Sequence, residues 1–307
     1  MKLLIAGASG LIGNALIEYW KDEHDITALG RTLSKLEQQF SNSVQCVDWV
    51  ALKNLDATQF DTVINLCGKN ISEHRWTEGI KKDLIDSRVH ATKMLIDWMQ
   101  NCQATPHFYC ANAVGIYGLQ ENGDPDVLDE NTPVVQDVPK DFLQEIGIQW
   151  QQAAEKALEH NIPLTITRFG VVLKKDDGML KKLTPSFYFG LGSVIGDGKQ
   201  IISWIHIDDL VRAFDYLLQH QISLQGPVNL CAPQPVSQRE FARSLASAMH
   251  RPLLLKTPAF VIRWLFGEMG ECLINRGQCV ISRRLLDHGF VFQTPDIESA
   301  LQKEFSK

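Results

Sequence analysis

The amino-terminal stretch MKLLIAGASGLIGNALIEYW (residues 1–20) decides the fold. A short apolar run of strand type, Leu3 to Ala6, meets three glycines at three-residue spacing, Gly7, Gly10 and Gly13. From Leu11 to Trp20 the apolar pattern then turns helical. A glycine-spaced turn between a first strand and a first helix is the signature of a dinucleotide-binding unit. Gly7 permits the tight turn, Gly10 lets the backbone approach a pyrophosphate, and Gly13 allows the helix to pack closely on the strand. The phosphates would sit at the helix start, where Ser9, Gly10, Leu11 and Ile12 offer unpaired N–H groups at the positive end of the dipole.

The rest of the chain supports an α/β reading. Strand-like runs (DITAL, VQCV, DTVINL, PHFYCA, PLTITRFG) alternate with amphipathic segments at residues 33–40, 77–99 and 140–159. That rhythm implies βαβ units and a Rossmann-type doubly wound parallel sheet. After Gly170 it changes: GLGSVIGDGKQ is rich in turns, HIDDLVRAFDYLLQH is helical, PVNLC is a short strand, and two helical stretches follow within residues 237–270. The expected organisation is a nucleotide-binding domain over residues 1–172, its sheet completed by about 205–232. A smaller C-terminal substrate lobe would comprise residues 173–204 and 233–307.

The chain has 307 residues, 45% of them hydrophobic and 21% charged, enough to bury a sizeable core. A formal net charge of −6 argues against a nucleic-acid partner, which would require a basic surplus. Seven scattered cysteines without metal-ligand spacing read as reduced, mostly buried thiols. No signal-peptide core follows Met1, and the apolar run PAFVIRWLFG (residues 258–267) is short and contains Arg263. The expectation is a soluble cytoplasmic protein with a small-molecule substrate and no membrane or metal partner. Its oligomeric state is not readable.

The end of the second strand bears on the cofactor. An NAD-specific site places a carboxylate there for the ribose 2′-OH, whereas this chain runs ITALGRTLSK, with Arg31 and Lys35 nearby. Arg31 can clamp a 2′-phosphate and stack on adenine, which favours NADP (NADPH). The alternative for both cations is a solvated position at a helix start. Asp48, after the third strand, either reaches the adenine or faces water.

The stretches NLCGKNISEHRWTEGIKKDLIDSRVHATKML, ANAVGIYG, RFGVVL, SWIHIDDLV and GPVNLCAPQPVSQREFARSLASAMHRP carry a resemblance over almost the whole chain. They resemble an atypical branch of the extended short-chain dehydrogenases/reductases, the NAD-dependent epimerase/dehydratase-like "epimerase family proteins", which carry a C-terminal domain of unknown function. The resemblance implies that Leu66, Cys67 and Gly68 form the turn passing over the cofactor after the fourth strand. It also implies that Arg88, and less directly Asp83, reach toward the pyrophosphate, and that backbone near Val172 meets the nicotinamide end. An intrahelical ion pair with Asp83 or Asp86 is the alternative for Arg88.

The chemistry departs from that superfamily. Its members use a YxxxK pair whose lysine holds the tyrosine near ionisation, and none of the five tyrosines here has a lysine four residues on. Aligning Glu155 with the family's helix glutamate puts Gly147 and Gln151 at the tyrosine and lysine places, and Asn112 where a serine is usual. The remaining catalytic candidates are Asn112, as a hydrogen-bond donor, and Tyr117, which by itself would titrate near ~10. For both, a purely structural role is the competing reading. Lys156 reads as a surface lysine, Asp208 as a helix cap, and His206 as either lining the site or satisfied in a strand. The acidic loop of residues 119–139 reads as a mobile lid or a disordered segment. Two functions follow: an NADP-dependent oxidoreductase or epimerase, or a non-catalytic NADP-binding sensor or regulator.

Overall fold

The computed structural model of the chain describes residues 1–40, 43–124 and 126–306. The amino-terminal part alternates strands and helices: β1 (Lys2–Ala6), α1 (Leu11–Trp20), β2 (Asp25–Gly30), α2 (Leu33–Phe40), β3 (Gln45–Asp48) and β4 (Thr62–Asn65). It continues with α3 (Glu78–Asn101), β5 (His107–Ala113), α4 (Phe142–Glu155) and β6 (Leu164–Phe169). The later part contains β7 (Val171–Lys174), α5 (Gly178–Tyr188), β8 (Ser193–Ile195), β9 (Ile201–Ile202), β10 (Trp204–His206), α6 (Ile207–Gln219) and β11 (Gly226–Leu230). Helices α7 (Gln238–Ala248) and α8 (Ala259–Phe266) follow, and a last helix spans Ile297–Phe305.

Seven strands form one sheet in the order β11-β6-β5-β4-β1-β2-β3, every pair parallel. Successive side chains of a strand serve opposite faces, so both faces of this sheet are apolar and covered by helices. Leu3 and Ile5 join α1, α2 and α6 in one core through Leu16, Trp20, Phe40 and Phe214. Leu4 and Ala6 join α3 and α4 in the other through Leu95, Met99 and Trp150. A separate core around Leu180, Trp204, Phe241 and Leu301 holds the C-terminal elements. The doubly wound expectation therefore holds, and the strand order reverses between β1 and β4. In sheets of this type ligands lie outside the carboxyl ends of the strands at that reversal.

Three local readings are corrected. The helix expected over 140–159 runs only from Phe142 to Glu155: the Asp141 carboxylate caps its start and a 3₁₀ turn follows. The loop of residues 119–139 is fastened to the C-terminal segment by bridges Gln120–Gly277 and Leu128–Val280. The Glu130 carboxylate also accepts from the backbone N–H groups of Asn229 and Arg284. At α6 the cap is not Asp208 but the His206 ring, whose Nδ1 accepts from the Asp208 N–H at 3.1 Å. His206 is buried, and its Nε2 lies 2.8 Å from Glu304, so it does not line a cleft. Asp208 pairs with Lys303, while the buried Asp209 carboxylate accepts from the N–H groups of Gln293 and Thr294.

Candidate cofactor site

At the carboxyl end of β1 the chain turns at Gly7 with φ +81°, a left-handed conformation that favours glycine. A Cβ there would lie 2.9 Å from the Leu66 carbonyl, because the turn after β1 packs directly on the turn after β4. Gly13 is as constrained: a Cβ would lie 2.6 Å from the Gly7 carbonyl oxygen and 2.8 Å from the Ala8 Cα. Its absence lets α1 press its first turn onto the end of β1. Gly10 is exposed and serves as the N-cap of α1 in extended conformation, with no side chain capping the helix and no acidic residue in its first turn. The helix start, with Ser9, Leu11 and Ile12 around it, faces outward at the strand reversal with its N–H groups uncapped by any side chain. The N–H of Gly10, expected to be free, instead closes the turn onto the Gly7 carbonyl at 3.0 Å.

Opposite this turn, Leu66, Cys67 and Gly68 leave β4. The Leu66 N–H bonds to the Ala6 carbonyl, and the Cys67 N–H to the Asn65 side chain, itself held by Thr92. Burial pushes the Cys67 thiol up to about 12, so it stays neutral. Gly68 lies against the Arg88 guanidinium: a Cβ on Gly68 would be 3.1 Å from the Arg88 Cζ. Arg88 is 9% exposed and donates to the Leu84 and Lys69 carbonyls at 2.8 and 3.1 Å, with its guanidinium 5.1 Å from the Trp150 ring centre. Burial holds its pKa down at about 10. No carboxylate pairs with Arg88 among the described residues. Asp83, offered as its partner or as a second ligand, instead pairs in solvent with Lys69 at 2.6 Å. A buried cation without a counter-ion is unfavourable and attracts an anion.

Arg31 follows β2 on the same edge, exposed and without a salt bridge among the described residues. It is close enough to the Cys67 thiol to oppose the rise in that group's pKa. The residue before it is Gly30, whose missing side chain leaves room for Leu36. Among the described residues no carboxylate follows β2 directly, where one would meet a ribose 2′-OH. Asp48 is consumed locally, accepting from the N–H groups of Val50 and Ala51 at 3.0 and 2.8 Å. On the other side of the helix start, the Val172 carbonyl and the Leu11 side chain both approach Gly178 at the start of α5. Two features fit a dinucleotide: a glycine cradle that a Cβ would fill, and a buried unpaired guanidinium beside it. A hollow of about 420 Å³ lined by His24, Ile26, Glu37 and Gln45 lies at the far, amino-terminal edge and takes no part.

The two catalytic candidates are engaged elsewhere. Asn112 is 1% exposed, donates from Nδ2 to the Gly147 carbonyl at 2.9 Å, and accepts at Oδ1 from the Ala113 N–H. It ties β5 to α4. Tyr117 is 7% exposed beneath the fastened loop, donating to Asn229 Oδ1 at 3.0 Å and accepting from Arg168 Nη1 at 2.8 Å. Burial raises its pKa, and the Arg168 charge opposes that only in part. Arg168 also donates to Gln151 Oε1 at 2.8 Å, and Gln151 donates to Glu155. Gln151, which the resemblance aligns with the family's lysine, thus anchors a strand arginine. Sequence reading missed Arg168, although a lone arginine inside the apolar run PLTITRFG signals a buried partner. Lys156 is a surface lysine paired with Glu159.

Fold and site together define a Rossmann-type α/β protein with a second, smaller core beyond its sheet. Residues 3–231 match the NAD dependent epimerase/dehydratase family, and residues 257–304 match a domain of unknown function, DUF1731. The chain belongs to the NAD dependent epimerase/dehydratase family. It is 36% identical to an Arabidopsis thaliana "Epimerase family protein SDR39U1 homolog, chloroplastic" over 98% of this chain and 86% of that one. It is 32% identical to a Staphylococcus aureus epimerase family protein, SAR0825, over 99% of each. Human epimerase family protein SDR39U1, crystallised with NADPH, superposes with a TM-score of 0.85 at 27% identity, covering 99% of this chain and 98% of that chain. A UDP-glucuronic acid 4-epimerase from Bacillus cereus superposes with a TM-score of 0.76 at 16% identity, covering 99% and 98%, a likeness of fold alone. Among the described residues no helix is long and apolar enough to cross a membrane.

Proposed function

We propose that this protein binds NADP(H) across the strand reversal and is a member of the short-chain dehydrogenase/reductase type in which the tyrosine proton relay is replaced by a structural strut. The observation that carries the binding half is the buried, uncompensated Arg88 guanidinium against Gly68, beside the Gly7 turn. Gly7, Gly10 and Gly13 and the start of α1 would cradle the pyrophosphate, with Arg88 supplying charge from below. Arg31 would hold the 2′-phosphate, and the backbone near Val172 would meet the nicotinamide end. The human relative's NADPH supports this choice of cofactor.

Bound NADPH supplies a hydride donor. The residues of this chain supply position and electrostatics, but Tyr117, the tyrosine candidate for proton exchange, is a buried hydrogen-bonded phenol whose pKa burial raises above its ordinary value. A holding or sensing role follows best from that arrangement. The second reading, an oxidoreductase for a small-molecule substrate, is favoured by one contact. Lys182 of α5 donates to Ser72 of the loop after β4 at 2.7 Å, joining the C-terminal elements to the cofactor loops as a substrate-enclosing lobe would. The test is NADPH oxidation over a panel of carbonyl compounds and nucleotide sugars: retained cofactor without turnover supports the first reading, and hydride transfer to any of them supports the second.

A further inference from the structure

The run PAFVIRWLFG is too short to span a bilayer, yet in the fold it lies almost wholly outside the core. Of the residues of α8 only Ile262 is buried, while Phe260 and Trp264 are 72% and 76% exposed. The surface continues beyond the helix. The strand Leu255–Thr257 pairs with β8, and the Arg251 guanidinium donates to the Tyr188 carbonyl at 2.8 Å. Gly196 approaches Ala259. These contacts join α8 to the end of α5, where Phe189 and Leu191 stand exposed, and to the exposed Leu254. Large apolar side chains left exposed on adjoining segments in this way mark an interaction surface.

Its charge selects the occupant. Residues 181–196 and 250–267, which build the patch, contain Lys181, Lys182, Arg251, Lys256 and Arg263 and no aspartate or glutamate, in a chain of net charge −6. Of the carboxylates that border these segments, Asp197 is turned back into its own loop, accepting from the Lys199 N–H at 3.0 Å, and Glu268 is paired with Lys81 at 2.6 Å. A symmetric contact with a second copy would set these cations against themselves. Exposed Trp and Phe ringed by Lys and Arg are instead the composition of a segment lying in the interface of an anionic bilayer, aromatic rings at headgroup depth and cations on phosphate.

We propose that the α8 face docks reversibly on anionic lipid membranes. Gly267, which ends α8, lies against Arg75 of the loop after β4, so docking places the cofactor loops close to the bilayer. The test is co-sedimentation of the full chain with vesicles of phosphatidylcholine alone or with phosphatidylglycerol in a two-to-one ratio. Binding is expected only to the anionic vesicles, falling as salt rises. Phe260→Glu with Trp264→Glu, or Lys256→Glu with Arg263→Glu, should lower the bound fraction at least tenfold while NADPH binding, as the check on folding, is unchanged. Three results would overturn the proposal: no anionic-vesicle binding, binding the folded variants retain, or a concentration-dependent dimer abolished by Trp264→Glu, which would assign the face to a second copy.

Discussion

Gly147 of α4 stands so close to Ile116 that a Cβ on it would lie 2.7 Å from the Ile116 Cβ and 2.8 Å from its Cα. The position to which the sequence resemblance assigns a catalytic tyrosine therefore has no room for a side chain: Ile116 fills it. Gly147→Ala should destabilise the protein by about 1–3 kcal/mol through overpacking, read from urea unfolding. Gly147→Tyr with Gln151→Lys rebuilds the YxxxK motif in sequence but not in space, and should lose stability without gaining NADPH turnover.

Tyr117 bridges Arg168 and Asn229. Tyr117→Phe strands a buried guanidinium N–H and a buried amide oxygen, and should cost about 1–3 kcal/mol of stability with NADPH affinity unchanged. Thermal unfolding and calorimetry check the two halves separately. Unchanged stability with a drop of ~10²-fold in a measured turnover would instead make Tyr117 a general acid.

What was legible depended on how far each residue's partner lay along the chain. The Gly7 turn was readable because its left-handed φ and the packing of Gly13 on Ala8 are local consequences of spacing. The alternation of strand-like runs with amphipathic segments likewise announced a parallel sheet. For Asn112 the sequence left a donor role and a structural role open, because its acceptor is the Gly147 carbonyl 35 positions on. The loop of residues 119–139 was misread because what fastens it, around Gly277 and Val280, follows some 150 residues later. The cap of α6 was assigned to Asp208 rather than His206 because a histidine ring capping a helix has no distinct sequence signal, and an aspartate beside it has a familiar one.

Arg88 separates a ligand role from a structural one. Removing a buried unpaired cation relieves desolvation, so Arg88→Met should leave stability unchanged or raised while weakening NADPH binding by tenfold or more. Loss of stability with affinity intact would make the arginine a structural prop for the Gly68 turn.

His107 supplies the pH dependence. Burial lowers its pKa to about 4, with Nε2 2.8 Å from Thr165 Oγ1 and the ring stacked on Tyr109. The unfolded state takes up its proton near pH 6.5 and the folded state only near 4. The contribution of the neutral ring is thus complete above pH 6.5 and lost as pH falls from there to about 4, on the order of 3 kcal/mol by the lower limit. Urea midpoints across that range should fall, and His107→Gln should flatten the decline.

The central claim is that the edge formed by Gly7, Gly68, Arg88 and Arg31 holds NADP(H). Calorimetric titration of the unmodified protein with NADPH and with NADH tests it most directly. The expected result is NADPH bound at least tenfold more tightly, with most of that preference lost in Arg31→Ala, a difference of about 1.5–3 kcal/mol for one charge-assisted phosphate clamp. Equal affinities for the two cofactors, or no binding of either, would contradict it.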